Sequence, residues 1–233
     1  MEKVTAILMA AGLGSRMHPL TKKIPKPLVK VKGTPMIETI IAGLQKCGVE
    51  EFYVVTGYLS EQFEYLTLKY KNIHLIHNEA YLEINNISSI YAAKDILGTT
   101  DCYICESDIY VQDDEVFHSN PTESCYFGKW KKGYSDDWVF DVDEKRKITG
   151  IHKKGTDQFN MTGICFLKKE EAKKIRTAIE ETYGTPGYET LFWDEVVDKN
   201  LENISLGIRE VKENQLIEID TVEELQQVDD SYK

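Results

Sequence analysis

Residues 8–28, LMAAGLGSRMHPLTKKIPKPL, place a Gly-x-Gly turn, a lone arginine and a Pro-Lys-Pro directly behind an apolar run. Gly12 and Gly14 let a backbone turn tightly and bring its N–H groups up to anionic oxygens. Arg16 and Lys26 add fixed positive charge, so the segment Ala10, Ala11, Gly12, Gly14, Ser15 reads as a cradle for a nucleoside triphosphate. The Walker pattern would need Gly-Lys-Ser/Thr at its end, and the dinucleotide fingerprint a third glycine where this chain has Met17. Charge supports the polyanion reading: Lys3 to Ile37 contains seven Lys/Arg and no Asp or Glu, in a chain with 28 basic and 39 acidic residues. Taken from charge patterning alone, a basic solvated loop is the alternative.

A triphosphate usually travels with a hard divalent cation, which takes oxygen ligands and keeps several waters. Glu106-Ser107-Asp108 closes an apolar run, where parallel α/β sheets put their ligands. In Glu218-Ile219-Asp220, strand alternation would put both carboxylates on one face. By position alone, Asp108 is equally a turn carboxylate. Glu-Ile-Asp before Thr-Val-Glu-Glu is also a strand entering a capped helix, which is compatible with a metal role.

These groups need elements to hold them. Val4–Met9, Phe52–Thr56, Ile73–Ile76 and Asp101–Glu106 read as strands, and segments 34–48, 60–70 and 88–97 as helices, with Thr34 and Ser60 as N-caps. That alternation predicts an α/β chain: a parallel sheet with helices on both faces. From residue 123 the rhythm changes to SCYFGKW, WVFDV, ITGIH and MTGICFL, which predict antiparallel strands and a lid. Helices are expected at 170–182, 188–198 and 221–228.

With 233 residues, 42% of them apolar, the chain is expected to form one domain over 1–233. A net charge of -11 argues against a general nucleic-acid binder. Five cysteines favour no disulfide scaffold and suggest a reducing cytoplasm, and Cys102 and Cys105 lie on an apolar strand where residues three apart face opposite ways. No stretch has the length of a membrane span. Val4–Ala11 runs into the glycine turn without a cleavage site.

LMAAGLGSRMHPLT and PKPLVKVKGTPMIE resemble the signature of nucleotidylyltransferases that couple a nucleoside triphosphate to a phosphorylated alcohol or sugar. YLEINNISSIYAAKDIL, ESDIY, LFWDE and LIEIDTVEEL resemble the bacterial CTP:phosphocholine cytidylyltransferase branch. The resemblance implies a single Rossmann-like doubly wound mixed sheet with a small antiparallel lid. It implies transfer of CMP from CTP to phosphocholine, with Arg16 and Lys26 catalytic and Mg2+ held by Asp108 and Asp220 with Glu218 nearby. Asn85, Asn86 and Ser89 occupy the segment expected to read the base, with Gly57 and Tyr58 shaping the pocket. An Asn-rich turn capping the next helix is the other reading of that segment.

A phosphomonoester is already mostly ionised at neutral pH, its second pKa lying near 6, so the chemistry demands no general base. A quaternary ammonium donates no hydrogen bond and is enclosed by aromatic faces and carboxylates. Trp138 beside Asp136 and Asp137, and Trp193 with Tyr188, Glu189 and Asp194, supply both, although such aromatics are ordinarily core residues. Phosphoethanolamine, 2-aminoethylphosphonate or a sugar 1-phosphate are the alternative acceptors. A catalytically silent nucleotide-binding regulator is the alternative outside enzymology. Oligomeric state is not legible in the sequence.

Overall fold

Strand β1, Val4–Ala10, is apolar but for the buried Thr5 because both of its faces are covered. Ala6, Leu8 and Ala10 enter one core with Ile37, Ile40, Ile41 and Leu44, whereas Ile7 enters a second with Ile87, Ile90, Ile175 and Val196. The computed structural model describes residues 3–233. After β1 come β2 (Lys30–Val31), β3 (Thr34–Pro35), α1 (Met36–Lys46), β4 (Glu51–Thr56), α2 (Glu64–Lys69), β5 (Ile73–His77), α3 (Ile87–Ala92) and β6 (Asp101–Glu106). Then follow β7 (Ile109–Val111), β8 (Cys125–Val142), β9 (Ile148–Leu167), α4 (Lys169–Thr182), α5 (Trp193–Asp198), β10 (Gly207–Glu210), β11 (Leu216–Glu218) and α6 (Val222–Val228).

The central sheet has seven strands in the order β10-β8-β9-β6-β1-β4-β5. Strands β5, β4, β1 and β6 run parallel, and β9 joins β6 antiparallel. This is the expected mixed, doubly wound α/β sheet. A third cluster, Met17, Val29, Val31, Met36, Ile219 and Leu225, lies under the glycine turn and ties it to the C-terminal segment.

Several local expectations change. Thr34 and Pro35 do not start the first helix; they pair with Val31 and Lys30, and α1 begins at Met36. Leu59 rather than Ser60 precedes the next helical turn, and no side chain caps it. Segment 188–198 breaks into a single turn, Tyr188–Thr190, and α5, because the Glu195 carboxylate accepts the Phe192 N–H at 2.8 Å and fixes a new helix start there. The four strand-like runs of the second half merge into two long strands. Phe140 pairs with both Ile151 and Phe159, so the β8–β9 ribbon folds back on itself and stands over the sheet.

Cys102 and Cys105 enter opposite cores, and burial pushes the Cys102 thiol up to about 12. All five cysteines are free. Among the described residues, no helix is long and apolar enough to cross a membrane.

Candidate active site

The glycine turn leaves the end of β1 and is held from beneath. Gly14 has φ +62°, and a Cβ there would lie 2.8 Å from Lys26 Cβ, so both backbone sign and space require glycine. Thr21 Oγ1 donates to the Gly14 carbonyl at 2.8 Å, and Met17 is buried below. Gly12 differs: a Cβ there would meet nothing within 4 Å. Its missing side chain leaves the loop open towards the cavity instead of tightening the turn.

The acidic residues arrive from two distant parts of the chain. β11 pairs antiparallel with β7, Glu218 opposite Ile109, and the Ile219 N–H donates to the Asp108 carbonyl at 3.2 Å. Ile219 is fully buried, which turns its two acidic neighbours outward. Asp108, Glu218 and Asp220 thereby bring carboxylate oxygens within 4.8 Å of one another. The capped-helix reading holds as well: Glu224 Oε2 accepts the N–H groups of Asp220 and Thr221 at 2.7 and 2.9 Å, and Thr221 Oγ1 accepts from Glu224 at 3.2 Å. One backbone both gathers the acidic cluster and starts the helix.

Lys26, only 6% exposed, lies 2.6 Å from Asp108 Oδ2 and 2.6 Å from Asp220 Oδ1. Burial pulls the lysine pKa down, but Asp108 and Asp220 outweigh it and the net shift is upward, so Lys26 stays charged. Arg16 Nη2 lies 2.7 Å from the same Asp220 oxygen. The Glu218 tip is exposed to the cleft, yet desolvation by the surrounding walls, then Asp108 and Asp220, pushes its carboxyl up to about 8. Burial, with Asp108 and Glu218, holds Glu106 well above the usual carboxylate range. Asp108 Oδ1 is buried with no hydrogen-bond partner. An orphaned buried oxygen beside clustered carboxylates is a donor set suited to a hard divalent cation.

These groups line one cavity of about 650 Å3 at the carboxyl ends of the parallel strands. Ala10, Ala11, Gly12, Gly14, Ser15, Arg16 and Lys26 form one wall, Asn86 and Ser89 another, and Asp136, Asp137 and Trp138 come over from the folded-back ribbon. The Tyr134 hydroxyl donates to Asp136 at 2.7 Å, and Asn160 Nδ2 to Asp137 at 3.1 Å.

Other expected residues stand elsewhere. Trp193, 3% exposed, stacks on Tyr126 with centroids 5.8 Å apart, and Asp194 accepts from the Tyr126 hydroxyl at 2.8 Å. Both face the core because they open α5, whose inner face packs on β9. Tyr188 packs on Tyr183, and the Glu189 carbonyl accepts the Asn85 N–H, so neither lines the cavity. Asn85 Nδ2 donates to the Thr190 carbonyl, which makes Asn85 a brace rather than a wall. The Tyr58 N–H donates to the Ala11 carbonyl at 3.1 Å, and Gly57 leaves room for Tyr81, so this pair supports the glycine turn from behind. Sequence reading missed Phe192 and Lys153, which do line the cavity. Phe192 precedes Trp193, and only the helix start at 193 reveals which ring points out.

A strand-end cavity with a glycine turn, a buried lysine and a carboxylate cluster is the arrangement of a nucleotidyltransferase. Residues 6–119 match the MobA-like NTP transferase domain. The chain is 47% identical, over 99% of its length and 94% of the relative's, to a 2-aminoethylphosphonate cytidylyltransferase from Lancefieldella rimae. It is 31% identical to a choline-phosphate cytidylyltransferase from Streptococcus pneumoniae, over 98% of each chain. The solved CTP:phosphocholine cytidylyltransferase from Streptococcus pneumoniae superposes with a TM-score of 0.89 at 30% identity, over 99% of this chain and 100% of that one. The chain belongs to this bacterial cytidylyltransferase family of nucleotidyltransferases. It is an enzyme of cytidylyl transfer, acting on small molecules.

Proposed function

We propose that the protein transfers CMP from CTP to an aminoalkyl phosphonate, 2-aminoethylphosphonate being the favoured acceptor, and releases pyrophosphate. The observation that carries the acceptor class is the pair Asp136 and Asp137 at the far wall of the cavity. A primary ammonium donates N–H bonds to such carboxylates, in the charge-assisted geometry that makes them strong. The 47% identity to a 2-aminoethylphosphonate cytidylyltransferase supports the same choice. Phosphocholine is the second reading, favoured by the Trp138–Phe192 aromatic pair and by the 31% identical relative.

In the reaction an acceptor oxygen attacks the α-phosphorus of CTP. The new P–O bond forms as the bond from the α-phosphorus to the bridging oxygen of pyrophosphate breaks. A Mg2+ ion held by Asp108, Glu218 and Asp220 would neutralise phosphate charge. Lys26 and Arg16 place their own positive charges beside the leaving group and oppose the repulsion between two polyanions. The backbone around Gly12 approaches the phosphates, while Asn86 and Ser89 offer donors and acceptors to the nucleoside.

The test measures pyrophosphate release with each nucleoside triphosphate, Mg2+, and 2-aminoethylphosphonate, phosphoethanolamine, phosphocholine or a sugar 1-phosphate. The highest kcat/KM is expected for CTP with 2-aminoethylphosphonate. Highest kcat/KM with phosphocholine would favour the second reading, and no release with any acceptor would favour a nucleotide-binding regulator.

A further inference from the structure

The rings of Trp138 and Phe192 meet edge to face with centroids 5.4 Å apart. The Lys153 ammonium lies 5.2 Å from the first centroid and 4.8 Å from the second. Lys153 is the register partner of Trp138 in the β8–β9 ladder, so the backbone delivers this cation to the aromatic pair. Among the described residues it forms no ion pair, although Asp136 and Asp137 line the same cavity. Among the described residues, Trp138 and Phe192 are the aromatic rings that line the cavity, and both are already engaged by the protein's own cation. A trimethylammonium has no N–H to offer a carboxylate and depends on aromatic faces. A primary ammonium can be held by Asp136 and Asp137 and leaves the rings to the lysine.

We propose that Lys153 is an acceptor-specificity residue: by occupying the Trp138–Phe192 pair it excludes quaternary ammonium groups and leaves selection to carboxylates that require N–H donors. The inference rests on the aminoalkyl phosphonate reading. It is tested with Lys153→Met and Lys153→Arg, by measuring kcat/KM for 2-aminoethylphosphonate and phosphocholine, and phosphocholine binding through tryptophan fluorescence. Lys153→Met should shift the preference towards phosphocholine by about tenfold, the scale of a cation–π contact, and bind it more tightly. Lys153→Arg should retain the wild-type preference, and the KM for CTP should hold in both. An unchanged preference, or equal losses for the two acceptors, would overturn the proposal, the latter making Lys153 a ligand of their common phosphoryl group. If wild type prefers phosphocholine while Lys153→Met binds it more tightly still, the acceptor reading and the exclusion both fail, and only the competition of Lys153 for the two rings stands. If wild type prefers phosphocholine and the variant binds it no more tightly, both fall.

Discussion

Arg16 and Asp220 stand 204 positions apart in the chain, yet Arg16 Nη2 lies 2.7 Å from Asp220 Oδ1. The N-terminal turn and the C-terminal segment thus close one site, with Lys26 on the same carboxylate oxygen at 2.6 Å. The contact is supported from below by Met17, Ile219 and Leu225, which pack in one cluster. Charge alone would be a weak tether at the exposed Arg16; the buried apolar contacts hold the two segments together.

Asp108→Asn and Asp220→Asn should each lower turnover by at least about 10²-fold, the scale of losing one preorganised electrostatic partner. Each replaces a charged carboxylate ligand with a neutral amide and removes one of the two anions facing the buried Lys26. Pyrophosphate release over a Mg2+ titration checks this, with far-ultraviolet circular dichroism to show an intact fold. A near-normal rate at ordinary Mg2+ would take that residue out of the metal site.

Lys26→Ala should reduce kcat by roughly 10² to 10³. Burial keeps this ammonium dry and fixed, so its charge acts at full strength on anionic charge that develops as pyrophosphate leaves. Steady-state kinetics decide the matter: a rise confined to the KM for CTP would assign Lys26 to ground-state binding instead.

The two glycines of the turn should respond differently to alanine. Gly14→Ala strains a positive φ and collides with Lys26 Cβ, so the melting temperature should fall. Gly12→Ala meets nothing in the protein and should leave melting unchanged while weakening CTP binding, because its Cβ would project where phosphates approach. Calorimetric titration with CTP beside thermal melts separates them; unaltered CTP affinity in Gly12→Ala would remove that close approach.

Trp138→Ala and Trp193→Ala should also part company. Trp193 is core, and its truncation should cost about 3–5 kcal/mol of stability. Trp138 is half-buried at the cavity, where it carries Lys153 rather than the acceptor's ammonium, so its loss should cost much less stability and leave CTP binding hardly changed, while acceptor affinity changes through the released lysine. Denaturant unfolding and acceptor titration on both variants give the comparison, and similar unfolding losses in the two would make Trp138 a core residue as well.

Burial pushes the Asp194 carboxyl up to about 7, against the opposing hydrogen bond from Tyr126. The folded protein then binds more protons here than the unfolded chain, so this group's stabilisation is complete below about 4, the unfolded value, and is lost as pH rises towards 7. Asp194→Asn keeps the acceptor for Tyr126 and removes the charge. Relative to wild type, the variant should gain stability from about pH 4 to about 7 and level off above that, by a total on the order of a few kcal/mol. Melting curves across that range measure it, and a pH-independent difference would mean that Asp194 titrates normally.

The sequence by itself determined the parallel half of the fold, since β1, β4, β5 and β6 are short apolar runs separated by helical periodicity, a signal carried by local spacing. It also determined the chemistry of the glycine turn and of the two acidic motifs, because charge and conformational freedom belong to residue types. Only the tertiary structure decided which acidic and aromatic side chains share a cavity. Asp108 and Glu218 meet because β7 pairs with β11, a register between distant segments that no local pattern encodes. Lys153 meets Trp138 because the ribbon folds back, and Phe192 replaces Trp193 at the cavity because α5 starts one residue later than Phe192 and turns Trp193 inward. Adjacent aromatics look alike in sequence; the phase of a helix start against the sheet it packs on decides which of them is buried.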